Sequence, residues 1–362
     1  MKKYYPILIS KQGELTAIQH LTQDVKDNIC PVIEILEEIL EKKIRLTKGM
    51  PKDTPRQKKY NDLLEKTLYT HWSFDGNKII FDFTYFNFAN GKFEVIKNVI
   101  NSLLARKVNI IFAVQSNSEA QYLDSVKEWI KKYKINVCIR ISRTIGNGFD
   151  GCNKDASELL ERLNISSRNV MLLIDLGYAN KDNFDLLFST AKYATLLLTQ
   201  KKKDWMGIII SSGSFPKDLS EFKTPNSVYT IKRYEWSIWE KIKKDEDFPL
   251  IKYGDYGTKY PIYEDAGYAG TISIRYTVDG NFFIYKGQKT DLHTDGHGQY
   301  ISHCKKLTAT EDYFGKDFSW GDMKIDEISK ETIKNNKLVT GSAGTWVSIS
   351  QNHHITHLHE IL

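Results

Sequence analysis

Long apolar runs are missing from this chain. Nowhere does one reach the roughly 18 residues of a membrane span. The start, MKKYYPILIS, turns polar at Lys11, too soon for the apolar stretch of a secretory leader, and no small-residue cleavage site follows. Cysteine is scarce. Cys30, Cys138, Cys152 and Cys304 form no CxxC pair, and a chain of this size needs no disulfide staples. Together these absences predict a reduced, cytoplasmic protein. A strong charge of one sign is also lacking. Lys plus Arg number 51 and Asp plus Glu 45 in 362 residues, a formal net of +6 that does not match the concentrated basicity of a dedicated nucleic-acid binder. No GxGxxG follows the first apolar run, which disfavours a nucleotide-binding doubly wound sheet. The GNG at 146–148 lacks the required spacing.

What is present suffices for a sizeable core: 41% of the residues are hydrophobic and 12% aromatic, which excludes a disordered chain. Charge and histidine are unevenly spread. Residues 256–362 hold 11 basic and 13 acidic side chains, a net of −2, which leaves the first 255 residues at +8. Seven of the nine histidines lie in that last stretch.

Eight short apolar runs, rich in Ile and Val, punctuate the first 257 residues, at 4–10, 29–36, 78–86, 108–115, 135–142, 169–179, 205–213 and 248–257. Most are continuous rather than alternating, as strands buried on both faces of a parallel sheet are. Helical spacing lies between them, at 14–26, 92–106, 118–133, 155–164, 182–197 and 231–244. The Lys-rich link at 37–72 reads as a helix plus an exposed loop around Met50–Pro55. This alternation predicts an α/β fold, a (β/α)8 TIM-barrel-like domain over 1–256, with an open doubly wound sheet as the alternative. The pattern then changes. Residues 271–287 read as a hairpin turning at Asp279-Gly280, 297–309 as a helix, 318–325 as a loop, and 344–362 as a strand followed by a helix or turn. The stretch 257–362 is expected to be a C-terminal α+β extension packed on the barrel.

Several runs end on one polar residue: Glu34, Asp82, Gln115, Arg140, Asp175 and Asp255. In such a barrel the C-terminal strand ends face a common mouth, so four carboxylates and an arginine are expected to converge there. Such a set can hold a divalent cation such as Mg²⁺ or divide general acid and base roles. It can equally be a structural network in which Arg140 neutralises the carboxylates. On the hairpin, Arg275 and Lys286 can meet a phosphate or a base, or serve as ordinary cross-strand pairs. His353 and His357 fall at i, i+4, as zinc ligands can, with His303 as a possible third. No HExxH accompanies them, and a hydrogen-bonded or surface pair is the simpler reading.

The order of these patterns resembles the Beta protein family of bacteria and phages. The residues that carry the resemblance run from YYPILISKQGELTAIQHL and ICPVIEIL through IIFDF, VCIRIS and LLIDL to YGDYG, IRYT, FIYKGQ, HGQYISHC, FSWGDMKI and GTWVSISQNHHITHL. The resemblance implies a setting, phage–host conflict, rather than a reaction, and no catalytic set carries over. The matching positions are Glu34, Asp82, Arg140, Asp175, Asp255, Arg275, Lys286, Gln299, Tyr300, Asp322, Trp346, His353 and His354. The Lys-rich link departs from the pattern.

Two functions compete. One is an enzyme: Glu34, Asp82, Arg140, Asp175 and Asp255 form its catalytic set, and Gln115, Arg275, Lys286, Gln299, Asp322, His353 and His354 bind an anionic phosphoester or nucleotide. The other is a non-catalytic recognition module for a protein or nucleic-acid partner. No membrane is expected as partner in either.

Overall fold

The computed structural model describes residues 3–37, 72, 77–88, 92–142, 149–199, 204–245, 251–264, 271–334 and 337–362. The expected helix and loop in the 37–72 link, and the GNG at 146–148, lie outside the described residues.

The chain enters a parallel barrel at β1 (Tyr4–Ile9) and continues round it through β2 (Val32–Glu34), β3 (Ile79–Asp82), β4 (Ile110–Val114), β5 (Val137–Ser142), β6 (Val170–Tyr178) and β7 (Gly207–Gly213). A further strand, β8 (Ser227–Lys232), leaves the barrel. Then β9 (Ile251–Asp255) returns to pair with both β7 and β1 and closes the ring. All eight barrel strands fall on the eight apolar runs. Successive side chains of a strand face opposite sides. Ile7, Val32, Ile80, Ile111, Leu173 and Ile209 therefore fill the interior, while Leu8, Ile33, Phe81, Phe112, Leu172 and Ile210 pack outward under the helices.

The outer layer begins with α1 (Gln12–Gln19) and α2 (Gln23–Asn28), and continues with α3 (Lys92–Ala105), α4 (Ala120–Tyr133), α5 (Cys152–Leu163), α6 (Phe184–Thr199) and α7 (Tyr234–Lys243). The single helix expected over 14–26 is two, because Thr22 caps α2 by accepting from the Val25 amide. In α4, Tyr122, Val126 and Trp129 share the buried face, and Lys134 ends the helix in the left-handed region at φ 56°.

Beyond β9 come β10 (Thr271–Val278) and β11 (Asn281–Lys289), the expected hairpin, with Gly280 at φ 69° in its turn. β8 adds to β11 antiparallel, making a three-stranded sheet. Then follow α8 (Gln299–Thr308), α9 (Trp320–Ser329), the small hairpin β12 (Ile333–Lys334) and β13 (Lys337–Leu338), and α10 (Ala343–Ile361). Two expectations fail here. Residues 318–325 are not a loop: Ser319 caps α9 by accepting from the Asp322 amide. Residues 344–362 are one helix, started by a capping box between Ser342 and Thr345.

The last helix returns to the barrel. Ile355 and Leu358 join the core shared by strands and helices, and Asn352 Nδ2 donates to the Ala17 carbonyl of α1 at 2.9 Å. His354 meets Tyr4 of β1 and Asp255 of β9, so α10 covers the seam where the barrel closes. Among the described residues no helix is long and apolar enough to cross a membrane.

Candidate functional site

Glu34 and Asp82 are the last residues of neighbouring strands and stand in register. Arg140 and Asp175 lie near the ends of β5 and β6. All four are buried, and they meet. Arg140 Nη1 donates to Glu34 Oε1 at 2.9 Å and to Asp82 Oδ2 at 2.5 Å. Its Nη2 donates to Asp175 Oδ2 and to the Tyr256 hydroxyl, both at 2.7 Å, and its Nε donates to Asp175 Oδ2 at 3.2 Å. A guanidinium has five N–H donors, and here each has an acceptor. The Tyr256 hydroxyl donates in turn to Asp175 Oδ2 at 2.7 Å. Lys259 Nζ lies 3.4 Å from Glu34 Oε2 and sits over the Tyr256 ring. Burial alone would lower the basicity of Arg140; the Tyr256 hydroxyl and the three carboxylates outweigh it and hold the guanidinium charged well above its ordinary range.

Three carboxylates against one guanidinium and one ammonium give the mouth a net charge of −1. Glu14 adds to it. Burial pushes its carboxyl up to about 7 against the pull of Lys259, while its Oε2 accepts from the Ile9 amide at 2.6 Å. A carboxyl that holds its proton better in the folded state stabilises the fold below about pH 4.5, and loses that contribution as pH rises through 7. The span corresponds to about 3 kcal/mol. Glu14→Gln is therefore expected to gain on the parent protein between about pH 5 and pH 8, read as the difference in urea midpoints at the two pH values.

Asp255 does not join the mouth. The outward-facing Tyr253 and Asp255 are two residues apart, so the carboxylate points out of the barrel, and Tyr256 takes the inward place. There Asp255 accepts from the Tyr4 hydroxyl at 2.7 Å, the Tyr253 hydroxyl and His354 Nε2 at 2.9 Å, and the Gly257 amide at 3.1 Å. Burial opposes its charge, but His354, Arg233 and Tyr4 outweigh burial and hold the carboxyl down to about 2. Arg233, fully buried, pairs with Glu235 at 2.9 Å and stands 3.7 Å from Asp255.

The histidine-rich end is interior rather than surface. His353 Nδ1 lies 2.8 Å from Asp322 Oδ2, and its Nε2 lies 2.8 Å from the Thr277 carbonyl. The carboxylate and the carbonyl are both acceptors for an N–H of the ring. Thr277 Oγ1 meets His354 Nδ1 at 2.9 Å, continuing the chain to Asp255. Asp322 also accepts from the Tyr276 hydroxyl at 2.8 Å and from Ser319 Oγ at 2.5 Å. Among the described residues no group of three or more His, Cys, Asp or Glu is placed to hold a metal ion. The possible zinc set of His353, His357 and His303 is therefore not assembled, and the hydrogen-bonded alternative describes His353. An Mg²⁺ between Glu34, Asp82 and Asp175 does not fit either, because the guanidinium occupies that place.

The other expected ligand contacts have structural partners. Arg275 donates to the Thr258 carbonyl at 2.7 Å and stacks on Phe215, bracing the loop that carries Tyr256 and Lys259. Lys286 donates to the Leu219 carbonyl at 2.8 Å and to that of Phe222. Gln299 accepts from the Gln288 amide at 2.8 Å and donates to the Gly296 carbonyl at 2.9 Å. Arg140 and Lys286 thus have separate partners, the mouth carboxylates for one and backbone carbonyls for the other. Gln115 alone of the expected binding set stands beside the mouth, lining with Asp82 a cavity of about 150 Å³. Tyr256, Lys259, Glu14 and Arg233 escaped the sequence reading. The one available signal was the phase of β9, which turns Tyr256 rather than Asp255 inward.

A closed ring of eight parallel strands, with helices between them and ionised side chains gathered at the strand ends, is a (β/α)8 barrel protein. Within that class the chain belongs to the Beta protein family, whose model matches residues 4–360. It is similar to Protein beta of Enterobacteria phage P4, at 23% identity over 364 residues, covering 97% of this chain and 91% of that protein. Among solved structures it is similar to the type I 3-dehydroquinate dehydratase of Clostridium difficile, at 10% identity and a TM-score of 0.41, covering 72% of this chain and 87% of that one. It is also similar to a mandelate racemase/muconate lactonizing protein of Herpetosiphon aurantiacus, at 8% identity and a TM-score of 0.34, covering 79% of this chain and 63% of that one.

Proposed function

We propose that the barrel mouth is a recognition site rather than a catalytic centre, and that the protein acts as a sensor in phage–host conflict. The observation that carries this reading is the saturation of Arg140: all five N–H groups are engaged, four with the carboxylates and one with Tyr256. An acid–base pair needs carboxylates free to exchange protons with a ligand. Here each carboxylate is bound to the guanidinium, and an anionic phosphoester would meet a net negative mouth with no free guanidinium donor. The enzyme reading would require Arg140 to abandon three partners in a buried site. The kinship with a phage protein supports the phage–host setting.

The test is phage plating on host cells that carry the gene, with and without Glu34→Gln, normalised to folded protein in the cell. Glu34→Gln keeps the shape and one acceptor. The expected result is interference with plating by the parent protein, and a change of no more than about threefold in the variant. Removal of a catalytic carboxylate would lower it by about 10²–10⁴. A drop of that size overturns the non-catalytic reading, and a parent protein without effect on plating overturns the phage–host role.

A further inference from the structure

The cavity beside Asp82 presents two carboxylates and a side-chain amide oxygen as acceptors, with the Asn117 amide and the Ser118 hydroxyl also in its lining. Asp82 forms part of its lining with Oδ1 accepting from the Thr84 amide at 2.8 Å and the Thr84 hydroxyl at 2.5 Å, and Oδ2 accepting from Arg140. A carboxylate offers about four acceptor sites, so one remains. Gln115, 4% exposed, gives its side-chain NH₂ to Thr84 Oγ1, whose own proton goes to Asp82. The Gln115 carbonyl oxygen has no hydrogen-bond partner among the described residues, which leaves it able to accept from a ligand in the cavity it lines. At the exposed rim, Glu119 adds a second carboxylate, with the Gln121 amide as its hydrogen-bond donor. Glu119 also stands at the N-terminus of α4, so its charge offsets the positive end of that helix. Across from these groups the lining is aromatic. Phe83, Phe88 and Tyr122 pack on one another with ring centroids 5.4–5.7 Å apart.

We propose that this cavity binds a small organic monocation, a primary ammonium on a short alkyl chain. Such a ligand brings N–H donors to Asp82, Gln115 and Glu119 and lays its apolar body against the aromatic wall, where a cation is further favoured by the ring faces. About 150 Å³ accommodates a benzene-sized molecule and not a nucleotide. The inference rests on the recognition reading of the mouth and names its ligand class.

The probe is n-butylammonium, titrated calorimetrically into the full chain, with n-butanol and butyrate as neutral and anionic counterparts. The cation is expected to bind with a dissociation constant in the millimolar range, at least tenfold tighter than either counterpart. Glu119→Gln, at an exposed position that leaves the fold intact, is expected to weaken it about threefold. Asp82→Asn is expected to weaken it tenfold or more, with folding checked by circular dichroism. Equal binding of n-butanol, absence of cation binding, or binding indifferent to Glu119→Gln overturns the assignment. None of these outcomes bears on plating by Glu34→Gln, so the two proposals fail separately.

Discussion

Arg140→Leu is expected to lower the unfolding free energy at neutral pH by about 3–5 kcal/mol or more, because it strips the partner from buried charges. Glu34, Asp82 and Asp175 are each less than one-tenth exposed, and all three lean on the same guanidinium. Leucine fills part of the volume but supplies no donor. Three carboxylates then face one ammonium, Lys259, at 3.4 Å from one of them. Their buried negative charges are then left without the partner that offset them. Urea unfolding at neutral pH reads the loss as a lower midpoint than that of the parent protein. A domain of ordinary stability has 5–15 kcal/mol in all, so the variant should sit near the edge of folding at neutral pH.

Asp255→Asn is expected to destabilise by a similar amount, about 3–5 kcal/mol, for a different reason. The carboxylate receives four hydrogen bonds, from Tyr4, Tyr253, His354 and Gly257, and faces Arg233 at 3.7 Å. An asparagine oxygen accepts fewer of these, its NH₂ points a donor at donors, and among the described residues Arg233 keeps Glu235 as its charged partner. Because Asp255 ties β9 to His354 of α10, the loss should appear as loosening of the final helix. Hydrogen exchange is expected to show faster opening of amides in 349–358 in the variant. A fully stable Asp255→Asn protein that had lost its biological effect would instead restore Asp255 to a catalytic role. Carboxyl titration gives the same sign: with Asp255 held down to about 2, its contribution is present above the ordinary carboxylate range and is lost as pH falls through 2.

The barrel was legible because its strands are buried on both faces. A run such as NVMLLIDLGYA carries no polar phase to confuse with a helix, and eight of them at βα spacing leave few alternatives. The chemistry of the strand ends was legible in part. Glu34, Asp82, Arg140 and Asp175 were placed at one mouth, and they meet there. Asp255 was placed by residue type alone, and a one-residue phase error sends a side chain to the opposite face. Tyr256, Lys259 and Glu14 reach the mouth through loop and helix positions that no local pattern marks. α10 defeated the reading for another physical reason. Residues 348–358 are all buried although most of them are polar, so burial on every side leaves no apolar stripe set against a polar face, and the amphipathic period that signals a helix is absent. The alternation of β8, half-buried on every second residue, is present in SVYTIK, but the helix expected over 231–244 takes in its last two residues and the first four are assigned to no element.

A mutant cycle at the mouth tests the central claim, that the guanidinium is there to neutralise the carboxylates. The unfolding free energy of Arg140→Leu is compared with that of the same variant carrying Glu34→Gln and Asp82→Asn. If neutralisation is the role of Arg140, removing two of the charges it served should restore at least about 2 kcal/mol of the loss, a strongly non-additive result for residues in contact. Losses that simply add would contradict it.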